Sequence, residues 1–129
     1  FALYSASRQM TMLYKKYLKE LDLTYPQLLV LLILWRTDEV PVGEIGEQLY
    51  LDTGTLTPLL KRLESKGLIK RIRSKEDERS VLIKLTAGGK GIRNEIAPSA
   101  QGMLCDMEMT PEEVVALSQK IHNHHFSLA

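Results

Sequence analysis

A single cysteine, Cys105, is all the thiol this 129-residue chain carries. No disulfide can close within it, and the chain fits a reducing compartment, the cytoplasm. Two Phe and one Trp leave the core to Leu, Ile and Val, the makeup of a small helical domain. No apolar run approaches the roughly 18 residues of a membrane span. The longest, Leu28 to Trp35, has eight, so no membrane association is expected. No signal peptide is legible. Neither charge sign is scarce: 17 Lys and Arg stand against 16 Asp and Glu, for a net charge of +1. With 44% apolar and 26% charged residues the composition is that of one folded domain, spanning 1–129. The chain begins at Phe1 rather than Met, and a preceding N-terminal piece is expected.

The near-neutral total conceals an asymmetry. Residues 61–93 hold eleven Lys and Arg against Glu64, Glu76, Asp77 and Glu78, a local balance of +7, while the other segments sum to −6. A basic middle between acidic ends suits contact with a polyanion over a limited footprint, although a solvated charged face would look the same.

Helical periodicity opens the chain: Leu3, Ala6, Met10, Leu13, Tyr17 and Leu21 share one face of a helix over Ala2 to Leu21. Thr24-Tyr25-Pro26-Gln27 is a capping box with proline in the first turn, and it introduces Leu28–Trp35. The cap and the leucine-rich content favour a helix there over a buried strand. A helix apolar on every side must be covered on every side, which suggests burial by a second subunit. Val40-Pro41-Val42 reads as an extended connector and Gly43 to Tyr50 as a short helix. Asp52 or Thr53 caps the next, whose stripe is Leu56, Leu59, Leu60 and Leu63, and Gly67 ends it. Two short helices joined by so tight a turn have helix-turn-helix spacing. Two strands follow, Leu68–Arg73 and Ser80–Leu85, around the charged tip Ser74–Arg79. A hairpin placed directly after a helix-turn-helix is a wing.

Thr86 caps a long last region with a stripe of Ile92, Ile96, Ala100, Met103, Leu104 and Met107. Gly88, Gly89 and Gly91 weaken its start, and Pro98 should kink it. A final helix opens at the capping box Thr110-Pro111-Glu112-Glu113 and carries Val114, Leu117, Ile121 and Leu128. The expected class is mainly α (α+β): a winged helix-turn-helix core over about 42–86, flanked by dimerisation helices over about 1–21 and 87–128.

The second helix of the pair begins Asp52-Thr53-Gly54-Thr55-Leu56-Thr57-Pro58. Small hydroxyl residues and a glycine at a helix N-terminus let backbone approach a phosphate or base edge, and threonine methyls can touch thymine methyls. Plain N-capping would need one hydroxyl rather than three threonines. Pro58 lies past the first turn and should distort the helix. Lys61 and Arg62 follow on the same helix, and Arg73 and Lys75 lead into the wing tip. There Arg79 is suited to a minor groove, with Asp77 placed to hold its guanidinium or a neighbouring one. A charged hairpin tip is more often merely solvated.

Asp77-x-Arg79 with Val81–Leu85 and Thr86 resembles the wing signature of the MarR repressors. The stretches Phe1–Arg8, Leu23–Gln27, Gly46–Pro58 and Lys75–Val81 resemble the organic-hydroperoxide-sensing OhrR branch, densely over residues 1–86 and more weakly beyond. That resemblance implies a homodimer on a double-stranded DNA operator, with Asp52, Thr53, Gly54, Thr55, Thr57, Pro58, Lys61, Arg62, Arg73, Lys75, Asp77 and Arg79 facing DNA. It implies a reactive cysteine immediately before Phe1, outside this chain, served by Tyr14 and Tyr25 with Tyr4 nearby. A phenol that donates to a thiolate stabilises it and lowers the thiol pKa. Without the resemblance, each tyrosine reads as an amphipathic core filler. Cys105 reads as a buried inert residue from its position on an apolar stripe. By resemblance it is a resolving cysteine that would capture a sulfenic acid as a disulfide.

Other chemistry is thinly represented. His122 and His125 share a helix face near His124, but no carboxylate or cysteine completes a metal site. Gly88-Gly89-Lys90-Gly91 lacks the phosphate-loop pattern. No catalytic triad or carboxylate pair stands out, so no enzyme and no cofactor are expected. The reading is a palindrome-binding repressor released by organic hydroperoxides. Its rivals are a MarR-type repressor sensing a noncovalent aromatic ligand, a thiol-dependent peroxidase, and a winged-helix module that binds protein alone.

Overall fold

Four side-chain caps punctuate the chain in a computed structural model that describes residues 1–123. Thr24 accepts from the Gln27 N–H and Gln27 answers to the Thr24 N–H, the complete capping box, so α2 runs Tyr25–Arg36. Asp52 caps α4 (Thr53–Ser65), Thr86 caps α5 (Ala87–Asp106) and Thr110 caps α6 (Pro111–His122) with a second complete box. Ahead of these lies α1 (Ala2–Leu18), closed by a 3-10 turn at Lys19–Leu21. The short α3 spans Val42–Leu49. Gly67, with φ of 70°, stops α4 in the left-handed conformation that favours glycine.

The wing is more than a hairpin. β2 (Ile69–Arg73) and β3 (Val81–Leu85) pair antiparallel with Ile69 opposite Leu85 and Arg73 opposite Val81. Val40–Pro41, expected as a connector, is β1, and it pairs with Leu82 and Ile83 on the other side of β3. The sheet order is β1-β3-β2. Asp38 holds this arrangement, its carboxylate accepting from the Leu85 N–H at 2.8 Å.

The core corrects a second expectation. Leu28, Val30, Leu31, Ile33 and Leu34 of α2 are buried by the chain itself, among Ile45, Leu56, Leu60, Leu63, Ile69, Ile83 and Leu85. No second subunit is needed to cover α2; among its leucines only Leu32 is exposed. The helix passes through the middle of the fold, between α1, the helix-turn-helix and the sheet. Unmatched apolar surface lies instead at the ends, where Leu3, Tyr4 and Met12 of α1 and Val115, Leu117 and Ile121 of α6 are exposed. α6 buries no residue.

α5 continues through both of its expected weak points. Pro98 lies inside it without ending it. Gly89 is required: a β-carbon there would stand 1.9 Å from the Leu68 carbonyl oxygen. Trp35 donates its indole N–H to the Gly89 carbonyl at 2.9 Å, binding α2 to the start of α5. Gly88 and Gly89 thus make a packing contact, while Gly91 faces open space. His124, His125 and Leu128 lie outside the described residues.

Candidate functional site

The first constellation is built on α3, α4 and the wing. Gly46 permits the tight turn, because a β-carbon there would meet the Leu51 carbonyl oxygen at 3.0 Å. Leu56, Leu60 and Leu63 anchor one side of α4 in the core. The same geometry leaves Asp52, Thr53, Gly54, Thr55, Pro58, Lys61 and Arg62 exposed and Thr57 half-buried. Asp52 accepts from the Thr55 backbone N–H at 2.8 Å and from its hydroxyl at 3.0 Å. These bonds hold the Asp52 carboxyl below the usual carboxylate range, so it is ionised at neutral pH. The Thr55 hydroxyl proton is therefore committed inward, and Thr53 and Thr57 keep theirs. Pro58 has no N–H, so the Gly54 carbonyl at the exposed start of α4 lacks its helical donor.

At the wing tip Asp77 does something other than expected. Its carboxylate accepts the backbone N–H of Arg79 at 3.0 Å and does not hold a guanidinium. Ser74 accepts from the N–H groups of Glu76 and Asp77, and the Ser80 N–H returns to the Asp77 carbonyl. The Arg79 amide prevails over the long guanidinium as donor to the Asp77 carboxylate, because a turn two residues long brings the amide within reach at little entropic cost. These bonds close the loop on itself, and the Arg79 side chain stays exposed.

Ion pairs sort the eleven basic residues of 61–93. Lys66 pairs with Asp22, Arg71 with Glu64 and Lys84 with Glu39. Arg93 lies over the Trp35 ring. Lys61, Arg62, Arg73, Lys75 and Arg79 have no ion-pair partner among the described residues and are all exposed. Lys70 of the wing and Lys90 of α5 are likewise exposed and without an ion-pair partner among the described residues, so the free positive charge runs over α4, the wing and the start of α5.

A second constellation joins α1 to α2. The Tyr14 and Tyr25 rings stack, centroids 4.1 Å apart and 12° from parallel. Burial pushes both phenols above their ordinary pKa, with the neighbouring Tyr14 adding to the effect on Tyr25. Tyr4 is 71% exposed and lies ten residues, about 15 Å along the helix, from Tyr14. It is not part of the pair.

Cys105 is exposed near the end of α5, against the reading of a buried cysteine. The neighbouring Asp106 accepts from Lys16 Nζ at 2.6 Å and from the Tyr17 hydroxyl at 2.9 Å. These bonds hold the Asp106 carboxyl below its ordinary range and raise Lys16 and Tyr17. The thiol is thus fixed beside the C-terminal end of α1. Sequence reasoning did not single out Tyr50, 85% exposed in the turn between α3 and α4, or the Asp106 junction. Hydrophobic periodicity had signalled neither. Among the described residues no cluster of His, Cys, Asp and Glu could hold a metal ion, and no helix is long and apolar enough to cross a membrane.

Known proteins with these features are transcription regulators. The family model for the transcriptional regulator SarA/Rot matches residues 12–96. The chain is 61% identical over 89 residues to the organic hydroperoxide resistance transcriptional regulator of Bacillus subtilis, a match covering 69% of this chain and 60% of that protein. AbfR of Staphylococcus epidermidis has a TM-score of 0.85 at 34% identity, covering 95% of this chain and 85% of that one. AbfR has also been solved in its reduced form bound to DNA, with a TM-score of 0.79. A mutant MarR of E. coli complexed with operator DNA has a TM-score of 0.83 at 30% identity, covering 95% of this chain and 89% of that one. This chain therefore belongs to the SarA/Rot family of transcriptional regulators and has the MarR-type winged helix-turn-helix fold, the fold its motifs had implied.

Proposed function

We propose that this chain is the DNA-reading and switching body of a cytoplasmic repressor that organic hydroperoxides release from a palindromic operator. Two copies, paired through α1, α5 and α6, set two α4 helices and two wings on half-sites about one helical turn apart. Asp52, Thr53, Gly54, Thr55, Thr57 and Pro58 form the reading end of α4. Lys61, Arg62, Arg73 and Lys75 neutralise phosphates. Arg79, on a loop that Asp77 orders, enters the minor groove.

The observation that carries the switching half is the stacked Tyr14–Tyr25 pair, in a chain 61% identical over 89 residues to a hydroperoxide resistance regulator. Both phenols keep their protons at neutral pH and can donate to a thiolate. Phe1 lies thirteen residues before Tyr14, about 20 Å along α1. A thiol preceding Phe1 therefore meets the tyrosine pair of the partner subunit, not its own. The same holds for Cys105, which sits beside Lys16 and Tyr17, about 24 Å from Phe1. A disulfide needs Cα atoms within about 7 Å, so the bridge is intermolecular.

The thiolate attacks the peroxide O–O bond, takes the terminal oxygen as sulfenic acid and releases the alcohol. The Cys105 thiol then displaces water from that sulfur to form the disulfide. Bridging the subunits moves the two reading heads off their half-site spacing.

The test uses protein expressed from its whole gene and a labelled duplex that the reduced protein has selected from a random-sequence pool. An organic hydroperoxide should abolish binding, and dithiothreitol should restore it. Release by salicylate without oxidation would instead support a noncovalent aromatic ligand. Sustained hydroperoxide consumption with a thiol reductant would support a peroxidase. Failure to retain any duplex would leave a protein-binding module.

A further inference from the structure

We propose that Tyr50 is a DNA-backbone contact, its phenol donating a hydrogen bond to a phosphate oxygen at the edge of the α4 footprint. The inference rests on the operator-binding reading above. Tyr50 closes α3 in the left-handed region, at φ 53° and ψ 40°. A bulky L-residue is strained there, and a helix end of this shape ordinarily carries glycine. The turn itself needs the conformation. The Tyr50 N–H returns to the Glu47 carbonyl at 3.3 Å and the Leu51 N–H to the Gly46 carbonyl at 2.9 Å. Neither bond involves the side chain, so glycine would serve the fold better.

The ring returns nothing for that strain. It is 85% exposed, and its hydroxyl meets no hydrogen-bond partner among the described residues. Of the other three non-glycine residues with positive φ among the described residues, two differ in this respect: Asp22 pairs with Lys66 and Glu39 with Lys84. The third, Glu108, is a flexible polar chain between α5 and α6. Among the described residues Tyr50 alone presents a rigid aromatic to solvent from a strained backbone.

Its place identifies what it meets. Tyr50 precedes the Asp52 cap by two residues, so its Cα lies within about 7.6 Å of that of Asp52. Exposed Thr53, Gly54 and Thr55 continue from there, with unpaired Lys61 and Arg62 farther along the same helix. A neutral donor at the rim of a cationic reading surface matches a phosphate, and tyrosine is among the side chains that bond phosphate oxygens without reading sequence.

Two variants of this chain test the assignment, Tyr50→Gly and Tyr50→Phe. Binding is followed by fluorescence anisotropy at fixed salt on the selected duplex and on a random-sequence duplex of equal length. Tyr50→Gly should raise the melting temperature by relieving the strain, yet weaken both duplexes about tenfold, the scale of one hydrogen bond to a charged group. Tyr50→Phe should leave melting unchanged and reproduce most of the loss. Binding within twofold of wild type in both variants overturns the proposal. So does a lowered melting temperature in Tyr50→Gly, which would make the ring structural. A loss confined to the selected duplex would mark a base contact and overturn the phosphate assignment. Arg79→Ala, run in parallel, separates the two levels. If it weakens binding while the Tyr50 variants do not, only Tyr50 fails; if wild type binds neither duplex, the operator reading fails.

Discussion

Tyr14 and Tyr25 lie face to face at 4.1 Å, tying α1 to the start of α2 through two rings whose hydroxyls burial keeps protonated. A phenol pKa raised in the folded state adds stability that is complete below the unfolded value near 10 and lost as pH rises through the folded value. The pair should therefore contribute to a loss of stability on the alkaline side of pH 10. Tyr14→Phe and Tyr25→Phe should each flatten that limb in urea titrations taken between pH 8 and 11. Tyr25→Phe should also slow oxidation by an organic hydroperoxide while leaving reduced DNA binding unchanged. An unaltered oxidation rate would return the pair to a packing role.

Removing the wing-tip guanidinium with Arg79→Ala should weaken binding to the selected duplex by about 1–3 kcal/mol and spare the fold, since the tip is exposed. Asp77→Ala makes a sharper case. It removes a negative charge that faces a polyanion, so electrostatics alone predicts tighter binding. Because Asp77 orders the loop through the Arg79 N–H, weaker binding is expected instead. Anisotropy at one salt concentration decides the sign.

Gly89→Ala should be severely destabilising, by roughly 3 kcal/mol or more, because the added carbon meets the Leu68 backbone at 1.9 Å and no side chain can yield. Gly91→Ala, with open space around it, should stabilise α5 slightly. Comparable urea midpoints for the two variants would contradict this packing.

The exposed apolar residues of α6 should form part of the dimer contact. Sedimentation should find a dimer at micromolar concentration, and Leu117→Glu combined with Ile121→Glu should release monomers that keep their melting transition. A compact wild-type monomer that still binds a palindrome tightly would remove the dimer from the mechanism.

Cys105→Ser should leave reduced DNA binding intact, abolish the intermolecular disulfide on a non-reducing gel, and expose the sensor sulfur to irreversible over-oxidation. Mass spectrometry finding Cys105 a free thiol after oxidative release of wild type would end its resolving role.

Local signals were legible in the residues alone. Thr24, Asp52, Thr86 and Thr110 announce helix starts because a cap bonds an amide only two or three residues away. Gly67 announces a stop for an equally local reason, and the alternation around the charged tip of 74–79 places the wing. Long-range partners were not legible. Val40–Pro41 is too short to declare itself a strand until β3 lies beside it. The burial of α2 inside its own chain depends on α1, α4 and the sheet closing round it together. Lys66 meets Asp22 across 44 positions and Asp106 meets Lys16 across 90, and periodicity holds no record of either. Composition shows that eleven bases cluster between 61 and 93; only the packed fold decides which are neutralised and which face outward, because ion pairing depends on distance in space and not on spacing in the chain.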